Sequence, residues 1–122
     1  MHRPGICSTD VEIITHMSGR IYLGELEELI LLMVALIGAD AYGVSITKEL
    51  EEQTGRVITI SAAHAALHRL EEKGFVKSKM GGASMERGGR RKRLFQITAY
   101  GRQTLQELRD VRNTIWAQLP NS

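Results

Sequence analysis

Glu86-Arg87-Gly88-Gly89-Arg90-Arg91-Lys92-Arg93 runs straight into Leu94-Phe95-Gln96-Ile97. Six of the first eight residues are charged, five of them basic, and two adjacent glycines sit in the middle. The second stretch reads as a half-buried strand. A glycine-hinged tip this basic is too polar for a core. It suits a polyanion, because each Lys or Arg set on a phosphate releases condensed counterions. The competing reading is a solvated hairpin tip.

Working backwards, Phe75-Val76-Lys77-Ser78-Lys79-Met80 makes a partner strand. Strands over 75–80 and 91–97, joined by a glycine-bearing loop at 81–90, form a two-stranded wing with Phe75, Phe95 and Ile97 facing inward. Three helices precede it. Over 60–73, Ile60, Ala63, Leu67 and Leu70 line one face, Thr59 or Ser61 supplies the cap, and Gly74 the stop. The opposite face carries Ser61, Ala62, Ala65, His68, Arg69 and Glu72, with His64 on the boundary. That face is small and polar through its first two turns, so another surface can approach it closely. Over 41–54, Val44, Ile46 and Leu50 face inward and Gly55 ends the helix. Over 25–37, Leu26, Leu29, Ile30, Met33, Leu36 and Ile37 follow helical spacing, and Leu31, Leu32 and Val34 carry the apolar surface round the other side. A helix apolar on most faces in so small a chain calls for a partner subunit.

After the wing, Thr98 caps a helix over 99–119 with a seam of Leu105, Leu108, Arg112, Ile115 and Leu119, and Pro120 stops it. The seam serves either a partner or the domain's own core. The order α-α-α-β-β followed by a C-terminal helix is a mainly α fold, a winged helix-turn-helix with a dimerisation helix. In such a unit the second helix of the pair enters the major groove. We divide the chain into an extension (1–22), a winged helix-turn-helix domain (23–98) and a dimerisation helix (99–122). In the extension, Thr9-Asp10-Val11-Glu12 fits a capping box, so it is a short helix near 10–17 or disordered.

Charge supports the assignment. The 122 residues carry a net +2, but Arg56–Arg93 holds ten Lys/Arg against three acids, and Gly24–Gln53 seven acids against one lysine. One basic surface faces a polyanion, rather than the whole protein being sticky. The single cysteine, Cys7, permits no intramolecular disulfide and no zinc-finger spacing, which fits a reducing cytoplasm. The start lacks a signal-peptide layout, and the longest apolar run, Leu29 to Ile37, is too short to cross a membrane. His64 and His68 share a helix face but lack a third ligand, so no metal is expected. No nucleophile, phosphate loop or dinucleotide fingerprint is present, so neither an enzyme nor a cofactor is expected.

Leu23-Gly24-Glu25-Leu26-Glu27-Glu28-Leu29, Ala41-Tyr42-Gly43, Leu67-His68-Arg69-Leu70-Glu71-Glu72-Lys73-Gly74 and the Glu86–Arg93 wing together resemble the PadR family of bacterial transcriptional regulators, over about Leu23 to Leu105. The resemblance implies a winged-helix DNA-binding domain, a homodimer built through the C-terminal and first helices, and usually repression. The single C-terminal helix is similar to the family's short branch. Tyr42 resembles a family tyrosine whose hydroxyl lies near a phosphate; the alternative is a core tyrosine capping the helix hairpin. His64 departs from the family, which often has tyrosine there, and a histidine brings a titratable group to the reading helix.

The expected function is a sequence-specific DNA-binding regulator, a repressor acting as a homodimer on a near-palindromic operator. Ser61, Ala62, His64, Ala65, His68 and Arg69 would face the groove. Arg87, Arg90, Arg91, Lys92 and Arg93 would hold phosphates from the wing, and Tyr42 would touch the backbone. Leu29, Met33, Leu105, Leu108, Arg112, Ile115, Trp116 and Leu119 would form the dimer interface, where Trp116 either packs or lines a flat apolar pocket. The expected partners are double-stranded DNA and a second copy of the chain, with no membrane; a small-molecule effector is a further candidate partner, its identity unknown. The alternatives are a nonspecific or architectural DNA-binding protein, and a dimeric protein-interaction module using the basic wing.

Overall fold

The computed structural model describes residues 23–81 and 92–120. In chain order these form α1 (Glu25–Ile37), a 3-10 turn (Gly38–Asp40), α2 (Gly43–Thr54), α3 (Ile60–Glu72), β1 (Val76–Met80), β2 (Arg93–Ile97) and α4 (Ala99–Gln118). The strands pair antiparallel with Val76 opposite Ile97 and Met80 opposite Arg93. This is the mainly α winged helix-turn-helix expected from the sequence. The short-helix reading of residues 10–17, and Cys7, lie outside the described residues.

Local signals explain most boundaries. Glu25, Glu27 and Glu28 occupy the first turn of α1, at the positive end of the helix dipole. Of the two candidate caps for α3, Thr59 is the one used, its Oγ1 accepting from Ala62 N at 3.0 Å. α3 closes in a Schellman motif, with Phe75 N bonded to Leu70 O at 2.9 Å and Gly74 N to Glu71 O at 3.0 Å. Gly74 sits at φ 86° there, a conformation that favours glycine. This motif absorbs Phe75, so β1 begins at Val76 and not at 75. α2 begins at Gly43 and not at 41 because Ala41 is already engaged: its carbonyl accepts from Phe95 N of β2 at 2.8 Å. Tyr42 is left extended at φ −140° and ψ 175°, and its N–H donates to Ser45 Oγ at 2.9 Å.

The core is aliphatic, as the few aromatics require. Ile30, Leu31 and Val34 of α1, Ile46 and Leu50 of α2, and Ala63, Ala66, Leu67 and Leu70 of α3 meet Phe75, Val76 and Phe95. Three helix faces differ from the expected wheels. On α1, Leu31 and Val34 are core while Leu36 is 57% exposed; on α2, Val44 is exposed and only Ile46 and Leu50 are core; on α3, Ala66 replaces Ile60, which points out. α2, α3 and α4 all pack on α1, and that three-sided packing selects its buried face.

α4 starts inside the domain and leaves it. Thr98 Oγ1 accepts from Gly101 N at 2.9 Å and also lies 2.8 Å from Gly74 O. A Cβ on Gly101 would lie 2.3 Å from Phe75 O, so only glycine fits. Phe75 stacks on Tyr100 with centroids 5.0 Å apart. Thr104 is buried with its hydroxyl unpartnered. From Arg109 to Pro120 every residue is exposed, and Val111, Ile115, Trp116 and Leu119 stand bare on that half. Among the described residues no helix is long and apolar enough to cross a membrane.

Candidate nucleic-acid interface

The exposed side of α3 carries Ser61, His64, Ala65 and His68, with Ala62 half-buried. His64 leans on the start of α2: a Cβ on Gly43 would lie 2.8 Å from His64 Nε2. The glycine after Tyr42 therefore lets the two helices approach at that point. His68 Nε2 lies 3.1 Å from Glu72 Oε2, with both side chains well exposed. A pair so solvated contributes little.

The wing base reaches both sides of this face. Lys92 Nζ sits 4.2 Å from the centroid of the Tyr42 ring, a cation–π contact. On the other strand face, Arg93 Nη1 donates to Ser78 Oγ at 3.0 Å, and Ser78 Oγ donates to Glu71 Oε2 at 2.8 Å. Lys92 is thus tied to the front of α2 and Arg93 towards the end of α3, as strand alternation requires. Tyr42, Lys92 and the His64 side of α3 form one continuous surface. Arg87, Arg90 and Arg91 lie outside the described residues.

Arg69 is engaged within the protein. Its Nε donates to Glu27 Oε2 at 2.6 Å, and Lys73 Nζ donates to Glu27 Oε1 at 2.8 Å. Burial pushes the Glu27 carboxyl up, but the hydrogen bonds and charges of Lys73 and Arg69 outweigh it and hold the pKa below its usual 4.5. One turn of α1 thereby grips the back half of α3. The neighbouring Glu28 pairs with Arg112 of α4, and its hydrogen bond and charge raise the guanidinium's pKa. Sequence reasoning missed Glu27, Glu71 and Ser78. For Glu27 a signal existed: an acid three and four residues before Ile30 and Leu31, on the buried stripe.

The residues expected at a dimer interface separate into two groups. Met33 is 6% exposed within the chain's own core, and Leu29 and Leu105 pack against that core. Leu108 is half-buried and Arg112 is engaged with Glu28. Ile115, Trp116 and Leu119 are bare, and α1 adds exposed Leu32 and Leu36, which lie outside the expected set. No cluster of three metal-ligating side chains occurs among the described residues.

Residues 31–107 match the transcriptional regulator PadR-like family. The chain belongs to this family. PadR-like proteins are transcriptional regulators, not enzymes. The PadR-like fold here is similar to that of a PadR family transcription regulator from Clostridium difficile, at 28% identity and TM-score 0.59 over 80% of this chain and 100% of that one. It is also similar to a PadR family regulator from Eggerthella lenta, at 21% identity and TM-score 0.62 over 91% and 92%. Bacillus subtilis PadR in complex with operator DNA aligns at 19% identity and TM-score 0.57, over 80% of this chain but 49% of that one. No curated protein matches the sequence.

Proposed function

We propose that the chain is a sequence-specific DNA-binding repressor that acts as a homodimer on a near-palindromic operator. The observation that carries this is the continuous surface made by the small exposed face of α3, the Tyr42–Lys92 pair and the wing base, in a PadR-like chain whose Bacillus subtilis relative is held on operator DNA. Residues 23–98 make the DNA-binding unit. Ser61, Ala62, His64, Ala65 and His68 face the major groove, where base edges are distinguishable. Arg69 braces the rear of the helix and reaches a phosphate only beyond Glu27. Lys92, Arg93 and the wing arginines hold phosphates and set register; Tyr42 adds a backbone contact. Residues 99–122 supply the dimer helix, pairing Val111, Ile115, Trp116 and Leu119 with Leu32 and Leu36 of a second copy. Two recognition helices then fall on half-sites about one helical turn apart. Occupancy of the promoter blocks transcription, and a promoter-bound regulator works in the cytoplasm.

The test is a salt titration of binding to a random-sequence duplex and to a site selected from random pools. Lys92→Ala with Arg93→Ala should weaken both and lower the salt slope by about 0.9 for each phosphate no longer neutralised. An unchanged slope refutes the wing contacts. Equal affinity for selected and random duplex would favour an architectural protein over a regulator.

A further inference from the structure

A cleft of about 620 Å³ lies between the C-terminal turn of α1, the 38–40 turn, both wing strands and the first turn of α4. None of the α3 face and none of the bare apolar residues of α1 and α4 line it, so it lies apart from the reading face and the dimer-facing residues, while sharing the wing strands, whose Ser78 accepts from Arg93. Val34 and Phe95, buried in the core, line it together with half-buried Leu94. Its α1 wall is Ala35, Gly38 and Ala39, residues too small to fill it. Three cations stand on it: Lys77, Lys79 and Arg102.

The charges are the anomaly. Among the described residues no acid lines the cleft, although Glu71 is tied to its wall, accepting from Ser78. Lys77 and Lys79 share one face of β1, and their cross-strand partners are Gln96 and Leu94, which neutralise neither. Neither lysine nor Arg102 has an ion pair among the described residues. The carboxyl end of α1, which has no basic residue in its last turn, supplies only about half a negative charge. Among the described residues most of this positive charge has no ion-pair partner, and it stands beside apolar side chains in a cavity of ligand size.

We propose that this cleft is an effector site for a small amphipathic anion, its carboxylate on Lys77, Lys79 and Arg102 and its hydrocarbon body over Val34, Leu94 and Phe95. The walls explain how an occupant would be felt. One wall is α1 and its turn, the other is the wing, and they are joined by the Phe95 N to Ala41 O bond at 2.8 Å. The residue after Ala41 is Tyr42, against which Lys92 rests. An occupant that spreads the walls displaces the wing base from α2 and so lowers affinity for DNA, and by linkage DNA lowers affinity for the occupant. The effect on DNA rests on the proposed DNA-binding function; binding of the anion does not.

Calorimetry on the full chain uses octanoate, with 1-octanol as the uncharged body and inorganic phosphate as the bare anion. Octanoate should bind at one site per chain, with octanol and phosphate at least roughly tenfold weaker. Lys77→Ala and Arg102→Ala should each weaken octanoate roughly fivefold, and Ala39→Trp, which fills the mouth from an exposed position, should abolish binding. No saturable octanoate binding, or binding indifferent to the triple removal of Lys77, Lys79 and Arg102, overturns the site. Saturating octanoate should also weaken binding to the random duplex more than sodium chloride of equal ionic strength. An equal effect overturns the effector role. Wild-type protein that takes octanoate but no DNA overturns the DNA-binding reading and leaves the site standing.

Discussion

Replacing Glu27 by glutamine removes the charge that holds two cations of α3 to α1. The Glu27 side chain is 10% exposed and accepts at 2.6 Å from Arg69 and 2.8 Å from Lys73, which are 49% and 37% exposed. Loss of a charged hydrogen bond costs about 1.5–3 kcal/mol in a dry setting. Here both cations can be rehydrated, and the amide oxygen still accepts one bond, so screening reduces the sum to roughly 1–2 kcal/mol. For a domain of this size that is a fall in Tm of roughly 5–15 °C. The pH dependence adds a sign. The folded pKa of Glu27 lies below the ordinary value of 4.5, so its contribution is fully present above pH 4.5 and is lost as pH falls through the folded pKa. Thermal unfolding at fixed protomer concentration, at pH 7 and again in acid, should show Glu27→Gln well below wild type at pH 7 and converging with it at low pH. Glu25→Gln, which removes a solvated partner of Arg56, serves as the control and should change little. A Glu27→Gln protein as stable as wild type at pH 7, or a gap constant with pH, refutes the clamp.

Three further outcomes follow from the packing. Gly101→Ala places a Cβ 2.3 Å from Phe75 O and should cost at least about 2 kcal/mol in urea unfolding; a neutral result means α4 can shift against β1. Thr104→Val replaces a buried unpartnered hydroxyl with a methyl and should stabilise by roughly 1 kcal/mol; a loss of stability would reveal a partner for the hydroxyl. Leu36→Asp, on a side chain 57% exposed in the single chain, should convert a dimer to a monomer in sedimentation while leaving the far-UV spectrum intact. Unchanged mass removes α1 from the interface.

Signals carried by neighbouring residues are legible in the sequence. Gly38, Gly55 and Gly74 end the three helices, and Thr98 caps the last, because turns and caps are decided within a few residues. The wing is legible because its basic tip is adjacent to an apolar strand. What the sequence leaves open is set across the fold. Nine consecutive apolar residues from Leu29 to Ile37 define no unique face, and only the packing of α2, α3 and α4 places Leu31 inside and Leu36 outside. Arg69 looks available for DNA in the sequence because its partner Glu27 lies 42 positions away. Tyr42 and Lys92, fifty positions apart, are brought together across the fold beside the Phe95 N to Ala41 O bond. The cleft beside the wing leaves no signal at all: its lysines alternate along a strand as solvated residues commonly do, and the lack of an ion-pair partner for them among the described residues is a property of the assembled surface.

Glu27 and Glu28 are consecutive, yet one holds α3 and the other holds α4. The same turn of α1 is therefore fastened to the helix proposed to read DNA and to the helix proposed to join two chains. In engineering terms the protein is not modular at that seam. A C-terminal helix grafted from a relative would arrive with its own crossing angle on α1, and Glu28 would pass that angle to Glu27 and on to α3. A chimera made to change the partner would also change the distance between reading heads, and would need Glu28 and its counterpart on the new helix redesigned together.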